Sequence, residues 1–68
     1  MNKWGAFDLV QAKESEYFEL VMETLSKARE ARDKGDSMTE KILMEDYDVY
    51  RIKLEAIREI VQDLLRRL

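Results

Sequence analysis

The sequence predicts an all-α protein, an antiparallel two-helix hairpin that dimerises into a four-helix bundle. Three observations predict it. Proline is absent, and Gly35 is the one convincing interior helix breaker. An apolar seam of Leu43, Tyr47, Tyr50, Leu54, Ile57, Val61, Leu64 and Leu68 recurs at 4-3-4-3-4-3-4 spacing. Each half of the chain opens acidic and closes basic, so folding back at Gly35 sets opposite charges side by side at both ends.

The first helix is expected over about 7–34. It carries Phe18, Val21, Leu25 and Ala28 at 3-4-3 spacing, flanked by Tyr17 and Met22. Carried backwards, that register meets Phe7, Gln11 and Glu14, so the stripe weakens and a kink or break is expected near Ala12 to Ser15. Residues 35–37 form the turn. Gly35 suits the left-handed residue just past a helix end. Ser37-Met38-Thr39-Glu40 has the form of a capping box and starts the second helix, about 38–67. Glu23–Lys27, Glu30–Lys34 and Asp63–Arg67 are spaced for ion pairs along one helix. Residues 1–68 make a single domain.

A chain of 68 residues buries too little surface for a secure core of its own. Cysteine and histidine are both absent. That excludes a disulfide staple and a thiolate or imidazole metal site, and it leaves Ser15, Ser26 and Ser37 without a histidine to activate them. Self-association is the staple that remains. The second helix supports it with a further apolar strip, Ile42, Val49, Ala56 and Ile60, beside Ile52 and Leu65. Each large side chain moved out of water is worth roughly 1.5–3 kcal/mol. The dimer core is therefore expected to hold Phe18, Val21 and Leu25 together with the Leu43–Leu68 seam.

Charged residues make up 40% of the chain with a net charge of −3, which opposes general coating of nucleic acid. No apolar run approaches the roughly 20 residues that span a bilayer. The N-terminus lacks a continuous apolar signal core, so the expected compartment is the cytoplasm, with no membrane partner. A stand-alone helical chain of this size points to a bacterial or phage source.

Three groups of residues are candidates for function. Val49, Ile52, Ala56 and Ile60, with Trp4 and Phe7 in an N-terminal arm, form a candidate partner face. Lys27, Arg29, Arg32 and Lys34 form a basic cluster that could meet phosphates. In architecture the expected dimer resembles the Rop-like helical hairpins, which bind RNA. Glu16 with Glu19, and Glu45 with Asp48, are carboxylate pairs three residues apart. They resemble the acidic helical motifs of the MazG-type nucleotide pyrophosphohydrolases, which hold Mg²⁺. On the hairpin the two pairs fall roughly 10 Å apart along the axis and point away from the seam, as solvated acids do. The reading that follows is a non-enzymatic protein-interaction module without cofactor, paired with itself and with another protein. A dimeric nucleic-acid-associated regulator is the alternative.

Overall fold

The computed structural model describes residues 3–67. Among them are two helices and no strand: α1 (Lys3–Asp33) and α2 (Ser37–Arg67). They lie side by side, antiparallel, as a rod of 50 × 14 × 13 Å. Neither is long and apolar enough to cross a membrane.

The reversal takes only three residues because two helix-end devices share them. Gly35 has φ 76°, the left-handed conformation that costs glycine nothing. Its N–H donates to the Arg32 carbonyl (3.0 Å), and the Asp36 N–H donates to the Ala31 carbonyl (2.9 Å). This pair of bonds closes α1 as a Schellman motif. Asp36 then caps α2. Its Oδ1 accepts from the Thr39 N–H at 3.1 Å, and its carbonyl accepts from the Glu40 N–H at 3.0 Å. The cap is thus Asp36 and not the expected Ser37, which is already the first helical residue. The hydrogen bond to Thr39 favours the ionised Asp36 carboxyl and holds it below the usual carboxylate range.

α1 departs from expectation at its start. It begins at Lys3 and runs without a break through Ala12 to Ser15. Trp4 and Phe7 therefore belong to the helix and not to a separate arm. The side chain of Trp4, like the seam's last member Leu68, lies outside what the structure describes. The earlier start also places Glu14 to Glu23 in mid-helix. No acid stands in the first turn of α1, so the dipole argument holds for its Arg32 end only. α2 has both parts, Glu40 in the first turn and Arg66 and Arg67 in the last.

The two helices meet along matched heptad seams. On α2, Leu43, Tyr47, Tyr50, Leu54, Ile57, Val61 and Leu64 are all buried or half-buried, as their spacing predicts. On α1 the seam is Phe7, Val10, Glu14, Tyr17, Val21, Thr24, Ala28 and Ala31, at 3-4-3-4-3-4-3 spacing. Val21 and Ala28 were expected there. Phe18 and Leu25 lie one step round the helix: Phe18 is 46% exposed, and Tyr17 takes the place in the seam assigned to it. Tyr17 meets Tyr50 with ring centroids 6.4 Å apart and tilted by 37°.

Size explains the arrangement. Toward the turn α1 offers Ala31, Ala28, Thr24 and Val21, while α2 brings Leu43, Tyr47 and Tyr50. Small side chains on one helix leave room for large ones on the other at normal interaxial distance. Thr24 is buried without penalty, because its hydroxyl donates to the Leu20 carbonyl at 2.6 Å. The ion pairs among the described residues all join positions three or four apart on one helix. They include Glu23–Lys27 (2.9 Å) and Glu30–Lys34 (3.3 Å), while Asp63 pairs with Arg66 (3.9 Å) and not with the expected Arg67. What joins α1 to α2 is the seam.

Candidate interaction faces

The hairpin buries little. Among the described residues, Val21, Ala28, Ala31, Leu54 and Val61 are the buried apolar ones, and two of the five are alanines. By contrast, nine large apolar side chains among the described residues are at least 46% exposed. Scattered surface hydrophobes are ordinary, and Leu9 and Met38 are of that kind, but the other seven fall on two surfaces.

The first surface belongs to α2 alone. Ile42, Val49, Ile52, Ala56 and Ile60 are all exposed, Ile52 by 59%. Their spacing of 7, 3, 4 and 4 keeps them within one strip, which spans about 27 Å at the helical rise. Lys53 marks the strip's inner edge, one turn from Val49 and Ile57, and its ammonium lies 5.8 Å from the Tyr17 ring centroid. On the outer edge Arg51 bridges Asp48 (3.9 Å) and Glu55 (3.2 Å). The strip is thus an apolar band with ionic margins. It includes every α2 residue singled out as a partner face.

The second surface is shared by both helices on the opposite side of the rod. From α1 come Phe18, Met22 and Leu25, which follow one another at helical spacing of 4 and 3. From α2 come Met44 and Leu65, in line with Arg51 and Arg58 at intervals of seven. Leu25 and Met44 line one groove with Ala28, Arg29, Arg32 and Glu40. Phe18 lines another with Glu14, Ser15, Glu19 and Arg58. The Arg58 guanidinium lies 5.9 Å from the Phe18 ring centroid, within cation–π range. Met22 and Met44 carried no weight in the sequence. Their surroundings appear only once the seam of α1 is placed on Tyr17.

The basic cluster does not form one patch. Lys27 and Lys34 line a groove with Glu30, Ala31, Asp36, Thr39 and Leu43, on the side of Lys53. Arg29 and Arg32 line the groove with Glu40 and Met44 on the other side. Lys27 and Lys34 are also engaged by Glu23 and Glu30. The hydrogen bond and charge of Glu23 raise the Lys27 pKa. A phosphate would meet at most two of these cations at once, each beside a carboxylate. The carboxylate pairs Glu16–Glu19 and Glu45–Asp48 likewise stay apart. Among the described residues no group of three or more acids is placed to hold a metal ion.

No family model, curated protein or solved structure matches this chain.

Proposed function

We propose that this chain is a non-enzymatic helical interaction module, an adaptor, inhibitor or assembly factor, that pairs with a second copy as a four-helix bundle and presents the α2 strip to another protein. The observation that supports the reading is an excess of exposed surface, on which the large apolar side chains lie. The chain exposes 5329 Å². A compact monomer of its mass would expose about 4,500 Å². The excess, roughly 800 Å², is what one partner contributes to a standard protein–protein interface.

The strip is the part of that surface suited to a foreign helix. It is one helix wide and ionic at its margins, and a convex face of this kind packs against the apolar face of another helix, ridges into grooves. Ile52 stands at its centre. Ile52→Asp puts a charge where the partner's apolar face would sit, yet leaves the intramolecular seam intact. Circular dichroism should show unchanged helicity, and affinity capture from source-cell extract should lose the partner that the unaltered chain retains. Capture that survives the substitution removes the strip as the site.

A further inference from the structure

We infer that the second copy sits on the two-helix surface formed by Phe18, Met22, Leu25, Met44 and Leu65, leaving the α2 strip free on the far side. The inference rests on the self-pairing proposed above and assigns it to one side of the rod. A four-helix bundle needs apolar side chains from both helices of each hairpin. The Phe18 side supplies them: Phe18 is 46%, Met22 51% and Leu65 53% exposed, and Leu25 and Met44 are half-buried toward the turn.

On the opposite side the apolar contribution of α1 is confined to Leu9, 59% exposed, and half-buried Leu20. There α2 offers its strip, but α1 offers a row of ion pairs: Lys13–Glu16 (3.2 Å), Glu23–Lys27 (2.9 Å) and Glu30–Lys34 (3.3 Å). These pairs recur at 3-4-3-4-3-4 spacing along one flank, interrupted only by Leu20. Covering that flank with a second hairpin would strip six charges of water for pairs that gain little in exchange. On the Phe18 side the α2 row carries two arginines between Met44 and Leu65, Arg51 and Arg58, fewer charges than the opposite flank. Arg58 already sets its guanidinium over the Phe18 ring, 5.9 Å from the centroid.

Shape and area fit one added copy. The rod has a radius of gyration of 15.5 Å, where a compact chain of this length has about 11 Å. A second rod laid along the long axis makes the assembly more compact. Its two copies can each cover the roughly 800 Å² that a standard interface takes from a partner. A twofold pairing uses the same patch on both copies and closes the assembly at two. Two α2 strips are then carried on its outer sides.

Sedimentation velocity on four purified proteins tests the assignment: the unaltered chain, Phe18→Glu, Met22→Glu and Ile52→Asp. The unaltered chain and Ile52→Asp should sediment at twice the chain mass. Phe18→Glu and Met22→Glu should sediment at the chain mass, with helicity kept because both side chains are half-exposed in the hairpin. If Phe18→Glu loses its helical signal, Met22→Glu decides. Both glutamate variants remaining dimeric would overturn the assignment, as would a monomeric Ile52→Asp, while the pairing itself would stand. An unaltered chain that stays at single mass at every concentration would overturn the pairing as well.

Discussion

Gly35 and Asp36 together decide where this chain reverses. No heavy atom stands within 4 Å of where a Gly35 Cβ would be, so an added methyl meets no obstacle. Its cost comes from the backbone alone. Gly35→Ala should therefore destabilise the hairpin by about 1–2 kcal/mol, the penalty of a left-handed L-residue. For a domain of this size each kcal/mol lowers the melting temperature by about 4–8 °C, which a thermal melt followed by circular dichroism resolves. An unchanged midpoint would mean the turn relaxes to another conformation. Asp36 adds a pH dependence of definite sign. Its native carboxyl binds a proton less readily than in the unfolded chain. The stabilisation is present at neutral pH and is lost as pH falls through the native value, below the usual carboxylate range. Asp36→Asn keeps a competent cap without the charge. Melts from neutral to acid should show the unaltered chain losing more stability than Asp36→Asn. Parallel curves would contradict the role given to its carboxylate.

Between helices the seam supplies the cohesion, because the ion pairs all run along one helix. Leu54 is the most buried large residue of that seam. Leu54→Ala should cost about 2–5 kcal/mol, enough to unfold a small scaffold, and urea titration should show loss of the cooperative transition. Retention of full stability would show that the seam is not what holds α1 to α2. This element was legible in the sequence because every α2 seam position is large and apolar, so spacing and hydrophobicity agree. On α1 they do not agree. Its seam holds Glu14, and toward the turn the small residues Thr24, Ala28 and Ala31 against Tyr47 and Leu43, while large hydrophobes such as Phe18 and Met22 stand outside. Hydrophobicity alone therefore pointed one step round the helix, to Phe18 and Leu25. The helix end was read correctly to Gly35 but not to Asp36. Aspartate and serine are equally good caps, and the two bonds that close α1 choose between them. The α2 strip was legible by the same periodic count that defined the seam. The Phe18 surface was not, since Met44 and Leu65 join it only once the α1 seam is placed on Tyr17.

At the scale of the whole molecule, a rod 50 Å long and 14 Å wide has only a thin interior. A helix with its side chains is about 10–12 Å across, so two of them touch along a line and leave most apolar residues at the surface. The chain has no disulfide to offset this, because it has no cysteine. Several half-exposed side chains, each worth roughly 1.5–3 kcal/mol when taken from water, are the available source of further stability. Covering them couples folding to association, so stability should depend on protein concentration. Light scattering coupled to size separation tests this most directly. The account predicts a mass twice the 8.1 kDa of one chain, with a thermal midpoint that rises as the protein is concentrated. A particle of 8.1 kDa with a midpoint independent of concentration would contradict it.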